Sequence, residues 1–191
     1  MIRRLLQDRS GSSAAEFAMV LPLLLVLLFG IIDTGRFLWT YNRAEKAAQM
    51  GARMAVVTNY LSSDIGNSYV AACSPALIQG DVIPASCFSQ ITCNSGGCSS
   101  GTADATAFTT IVSRMQVFMP EIAADNVTVE YSGSGLGYAG NPTGPDVSPL
   151  VTVKLSGLQF RPLTSLMLAT FTMPSFTTSL TAEDLSGAQS N

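Results

Sequence analysis

Residues 12–32 read SSAAEFAMVLPLLLVLLFGII, and the reading of this stretch decides the fold. Glu16 is the one charge in the 21-residue run, and residues 17–32 carry none. Wound as a helix, these 21 residues rise about 32 Å, enough to cross a hydrocarbon layer of about 30 Å. Residues 23–29 are apolar on every face. A soluble protein would have to surround such a helix with protein on all sides, so the run reads as a transmembrane helix rather than a core helix. A cleaved secretory signal is the other alternative, with Arg3 and Arg4 as its basic start. The following DTGRFLW offers no small-x-small cleavage site, and the helical pattern continues past it.

Charge is distributed unevenly around this span. Residues 1–53 carry a net +3 and residues 54–191 a net −6. Arg3, Arg4 and Arg9 lie on the short N-terminal side, Arg36, Arg43 and Lys46 on the far flank. The acidic, cysteine-bearing remainder decides the orientation toward a cytoplasmic N-terminus, that is, a single-pass membrane protein with its C-terminal part outside the cytoplasm. An acidic bulk repels phosphate backbones, which excludes nucleic acid as a partner. The sequence has no histidine, so the commonest general base and metal ligand is missing. With no nucleophile–base pair, phosphate loop or metal cluster in the pattern, the reading is a non-enzyme with no cofactor and no metal. Glu16 is the anomaly. A carboxylate near the bilayer centre costs about 3 kcal/mol, less near the edge. It either snorkels to the headgroups or meets a cation supplied after processing, a new chain-terminal amine on a neighbouring subunit.

These residues resemble the TadE-like family, minor pseudopilins of the tight-adherence (Flp, type IVb) pilus system. The resemblance rests on Gly11, four small residues, Glu16-Phe17, Leu21-Pro22-Leu23, Phe29-Gly30-Ile31-Ile32-Asp33, Gly35-Arg36, Ala47-Ala48 and Gly51-Ala52-Arg53. It implies a type IV pilin-like architecture and cleavage by a prepilin peptidase after Gly11, leaving Ser12 as the new N-terminus. Glu16 is then the fifth mature residue, the position that in pilin-like proteins meets the terminal amine of an adjacent subunit during assembly. Phe17 stands where many pilin signals have tyrosine. The implied partners are membrane lipid, the peptidase, other pilins or pseudopilins and the pilus assembly machinery.

Beyond the span, residues 41–57 lack proline, and small residues recur four apart at Ala44, Ala48 and Ala52 and at Ala47, Gly51 and Ala55. One helix of about 70 Å is expected from Ser12 to about Thr58, with Pro22 tolerated inside it. Its small-residue side is expected to cover the chain's own external domain, with packing against another subunit as the alternative. Asp33 and Arg36, three apart, are placed to pair at the membrane exit, and Arg36, Trp39 and Tyr41 supply interfacial side chains.

All four cysteines, Cys73, Cys87, Cys93 and Cys98, fall within a Ser/Gly/Asn-rich insert at residues 59–101. Two disulfides in an oxidising compartment are expected over zinc, since the spacings contain no C-x-x-C and no histidine can complete a mixed site. Three pairings are possible. The Asn-Ser-Gly-Gly of residues 94–97 is a natural tight turn, which favours Cys93 with Cys98 and hence Cys73 with Cys87. Residues 102–191 read as an α+β headpiece. An amphipathic helix is predicted at residues 103–119, with Phe108, Ile111, Val112, Met115 and Phe118 on one face and Pro120 as its stop. Strands are predicted at residues 126–131, 150–155 and 176–182, forming a small antiparallel sheet. Residues 135–140, GLGYAG, match G-x-G-x-x-G formally, but NPTGP follows where a helix would have to open, so they read as a loop. Residues 160–171 read as an apolar connection packed on the long helix and too short for a second span.

The organisation expected is a basic leader at 1–11, a transmembrane and extended helix at 12–58, the cysteine insert at 59–101 and the headpiece at 102–191. The function expected is that of a membrane-anchored minor pseudopilin in pilus assembly and surface adhesion. An uncleaved, membrane-anchored binding or scaffold module is the alternative.

Overall fold

The computed structural model describes residues 12–70, 73, 76–142, 144–163, 170–182 and 185. A continuous helix, α1, runs over Ser12–Ala55 with Pro22 inside it. The chain divides into two compact units. One joins the described part of Met1–Thr40 to Gln159–Phe171, and the other joins Tyr41–Leu158 to Thr172–Asn191.

The second unit is built on an antiparallel sheet. Its strands are β1 (Ile91–Asn94), β2 (Gly97–Cys98), β3 (Val127–Ser132), β4 (Leu150–Leu155) and β7 (Phe176–Thr181), in the spatial order β2-β1-β3-β4-β7. A separate two-stranded ribbon pairs β5 (Gln159–Phe160) with β6 (Phe171–Thr172). The VTVEYS and LVTVKL strands alternate, and the register sets Val129 opposite Val153 and Tyr131 opposite Val151. Val127, Val129, Tyr131, Val151, Val153 and Leu155 are therefore buried together on one face. The other face carries Thr128, Glu130, Thr152 and Lys154. Tyr131 keeps its hydroxyl inside this apolar face because that oxygen accepts the Leu61 N–H at 3.3 Å. Burial pushes the phenol well above its ordinary value of 10.0, so it stays neutral.

Helix α2 (Ala105–Gln116) is shorter than the predicted 103–119. Asp104 caps it by accepting the Thr106 and Ala107 N–H groups, both at 2.9 Å. At its far end the Phe118 and Met119 N–H groups both turn back to the Met115 carbonyl ahead of Pro120. Phe108, Ile111, Val112 and Met115 are buried as the stripe requires, and Phe118 is half-buried.

The last turns of α1, from Tyr41 onward, belong to this unit. Ala44, Ala47, Ala48, Gly51, Ala52 and Ala55 are buried there, while Asn42, Glu45, Lys46 and Arg53 remain exposed. The small-residue side thus covers the chain's own domain. At Gly51 the backbone approaches so closely that an added Cβ would lie 2.7 Å from Met115 Sδ and 3.2 Å from Val153 Cγ1. Arg43 closes the contact from the side, donating to the Phe118 carbonyl at 3.0 Å and pairing with Glu121 at 3.1 Å. The helix ends at Ala55, three residues before the expected Thr58.

The cysteine-rich segment joins the same sheet. Cys93 and Cys98 face each other across the β1–β2 hairpin, and β1 then pairs with β3. Asn94 Oδ1 accepts the Gly96 N–H at 2.8 Å, which builds the tight turn between them. The sulfurs of Cys93–Cys98 and of Cys73–Cys87 lie at disulfide distance. GLGYAG is a loop, as its sequence context indicated. Gly137 has φ 117 and bridges Val147, and a Cβ there would overlap the Asp146 carbonyl oxygen.

Buried Asp146 ties that loop to the cysteine-rich one. Its Oδ1 accepts the Asn141 N–H at 2.8 Å, and its Oδ2 accepts the Tyr69 N–H at 2.7 Å and the Ser68 hydroxyl at 3.2 Å. Desolvation pushes the carboxyl up, but N–H groups of Gly140, Tyr69 and Asn141 and the Ser68 hydroxyl together outweigh it and hold it below 3.8. A depressed folded-state value gives stability that is present above the unfolded value and lost as pH falls through the folded one. Asp146→Asn offers an acceptor on one side only and sets an NH2 group against an N–H on the other. It is expected to cost about 2 kcal/mol at pH 7. In urea denaturation of the detergent-solubilised chain the gap to wild type should narrow below about pH 4. A gap that stays constant with pH would refute the charged-acceptor role.

Candidate functional site

The site is the first two-thirds of α1 together with the segment that packs on it. Between residues 17 and 32 the helix exposes large apolar side chains all round, among them Phe17, Met19, Leu23, Val26, Leu27 and Ile31. None of its most apolar 18-residue window, of mean hydropathy 2.5, is buried. At about 25 cal/mol per Å2 such a surface is strongly unfavourable in water. The helix is long and apolar enough to span a membrane, where lipid would satisfy it on every side.

At the N-terminal end Ser12 opens the helix, and Glu16 and Phe17 lie one turn in, both exposed. Gly11, the expected cleavage position, lies outside the described residues. Phe17 is 65% exposed.

At the C-terminal end of the apolar run the pattern changes within one residue. Asp33 is 6% exposed. Its Oδ1 accepts from the Arg36 guanidinium at 3.0 Å, the pair expected from the three-residue spacing, and from the Leu163 N–H at 2.7 Å. Arg36 lies over the Phe160 ring at 5.6 Å from its centroid and reaches the Arg161 carbonyl at 3.5 Å. Phe37 meets Phe160 edge-on at 5.4 Å. Residues 160–163 of the apolar connection are thereby fastened to the long helix, and residues 164–169 lie outside the described residues. The sequence reading placed the connection on the helix but gave Asp33 no partner beyond Arg36. An acid at the edge of an apolar run was the signal, and a backbone donor 130 positions away is invisible to local pattern.

The headpiece offers little that resembles reactive chemistry. A cleft of about 330 Å3 between the β1–β2 hairpin and the start of α2 is lined by Leu61, Cys93, Cys98, Phe108 and Asp104, among others. Asp104 is the charged residue there, and its carboxylate already caps α2. Among the described residues no three His, Cys, Asp or Glu side chains gather as a metal would need.

No curated protein and no solved structure matches the chain. Residues 11–53, however, match the family model TadE, described as TadE-like protein. That span runs from the expected cleavage position through the apolar run to the buried Gly51 and Ala52, so the similarity to TadE-like proteins lies on α1 and the residue before it.

Proposed function

We propose that this chain is a minor pseudopilin of a tight-adherence (Flp) pilus. It is anchored in the bacterial inner membrane by α1, with its N-terminus in the cytoplasm and its disulfide-bearing headpiece outside. The carrying observation is that the TadE-like match at residues 11–53 falls on a helix exposed to solvent over its whole apolar run. Two cysteine pairs at disulfide distance suit an oxidising compartment for the headpiece. A prepilin peptidase removes residues 1–11, Ser12 becomes the N-terminus, and Glu16 receives the terminal amine of a neighbouring subunit during assembly. Other pilins or pseudopilins, lipid and the assembly machinery are its partners, and adhesion is its outcome.

Intact-mass measurement of the membrane-purified protein tests the processing step. The expected mass is that of residues 12–191, and the full-length mass should return in a peptidase-deficient strain. A retained leader in a strain with active peptidase overturns the pseudopilin reading and leaves a permanently anchored scaffold.

A further inference from the structure

We infer that Leu163 and Phe171 make a second membrane contact, seated in the headgroup layer beside the point where α1 leaves the bilayer. This rests on the reading of α1 as membrane-spanning. The uncharged run ends at Ile32, and the Leu163 backbone is bonded to the next residue, Asp33, at 2.7 Å. The attachment is therefore fixed at the edge of the hydrocarbon. A headgroup layer adds about 5–8 Å on each side, and the six steps from Asp33 to Trp39 climb about 9 Å, so this stretch traverses that layer.

The chemistry at this level is that of an interface. Leu163 and Phe171 are 54% and 58% exposed, as are Leu38 and Trp39 on the helix at 54% and 68%. In water such exposed apolar side chains are unfavourable, whereas at the acyl boundary they are covered. Exposed Arg161 supplies a cation to lipid phosphates at the same level, while the charge of Arg36, 46% exposed at its side chain, is balanced by Asp33. Asp33, the acid at this level, is buried and neutralised by Arg36 and the Leu163 N–H. It therefore presents no negative charge to the phosphates. The cation–aromatic stack of Arg36 on Phe160 and the edge contact of Phe37 with Phe160 make the attachment stiff. The contact would set the rotation of α1 about its axis, which a lone uniform apolar helix leaves undetermined.

Trp39 is the chain's single tryptophan, which makes depth measurable. The full chain would be reconstituted in phosphatidylethanolamine/phosphatidylglycerol vesicles containing phosphatidylcholine brominated near the headgroup end of its acyl chains. In a Trp39→Phe background, Phe29→Trp, inside the apolar run, reports on the span, and Leu163→Trp or Phe171→Trp reports on the second contact. Both Leu163→Trp and Phe171→Trp chains should be quenched about twofold more by brominated lipid than by aqueous acrylamide, as an interfacial position requires. Strong acrylamide quenching of both, with the Phe29→Trp chain still quenched by lipid, overturns the inference and leaves the spanning helix intact. Shielding from both quenchers also overturns it, since protein then covers these positions. If the Phe29→Trp chain also escapes lipid quenching, the spanning reading itself fails.

Discussion

Glu16→Ala is expected to leave the protein in the membrane at wild-type level or above, while its recovery in sheared pili falls about tenfold. The two halves of this result have one cause. A carboxylate near the start of an apolar helix opposes insertion by up to about 3 kcal/mol, so its removal helps the helix enter lipid. In the assembly role proposed for it, the same charge would face a terminal ammonium in a medium of low dielectric and hold two subunits in register. Removing one partner of such a pair leaves the other charge buried alone, and an energy of about 1.4 kcal/mol already corresponds to tenfold in occupancy. Glu16 stands on the exposed stretch of α1, one turn beyond Ser12, where a neighbouring helix can approach. Glu16→Gln separates charge from shape and should reproduce the defect. Membrane fractionation together with immunoblotting of sheared filaments reads both quantities. Normal piliation by both variants would remove the assembly role while leaving the anchor untouched.

Gly51→Val carries the largest effect expected on stability, about 3 kcal/mol, at the upper end of what overpacking costs. Gly51→Ala is expected to be mild. Its Cβ meets Met115 Sδ at 2.7 Å and Cγ at 2.9 Å, but a methionine side chain can re-rotate, and replacing glycine inside a helix returns about 1 kcal/mol. Valine adds two further methyl groups against the same methionine and against Val153, whose Cγ1 is already 3.2 Å from the Cβ position. Val153 sits in the middle of β4, paired on both sides, and cannot retreat without disturbing the register. Urea denaturation of the full chain in detergent, followed by tyrosine fluorescence or near-ultraviolet dichroism, should show the midpoint falling sharply for valine and little for alanine. Equal midpoints for valine and wild type would mean that α1 does not rest on α2 and the sheet at this point.

How much of this was legible beforehand depends on the range of the physics involved. The apolar run is a property of consecutive residues, and α1 extends to within three residues of the expected end. The alternating Val-Thr-Val patterns put β3 and β4 at or within one residue of their expected bounds because a two-residue period is local. The hairpin turn at residues 94–97 was legible for the same reason, since an asparagine and two glycines build it among themselves. The addition of that hairpin to the sheet as β1 and β2 was not, because ITCN is short and its partners Val129, Glu130 and Tyr131 lie nearly 40 positions on and give no local sign. The headpiece helix was overestimated at both ends. Asp104 withdraws its start by capping, and Pro120 forces the closing turns back to Met115.

Of the candidate site, the sequence by itself determined the helix: its length, its lack of charge, the position of Glu16 within it and the small-residue side that lets it lie close to other elements. These follow from the helical period and from transfer free energies that each side chain carries with it. Tertiary structure decided which surface that small-residue side would cover, that buried Asp33 would receive a backbone N–H from Leu163, and that one carboxylate, Asp146, would clamp two loops. Each of these joins groups far apart along the chain, and their meeting depends on how the intervening elements pack, a quantity no window of neighbouring residues contains.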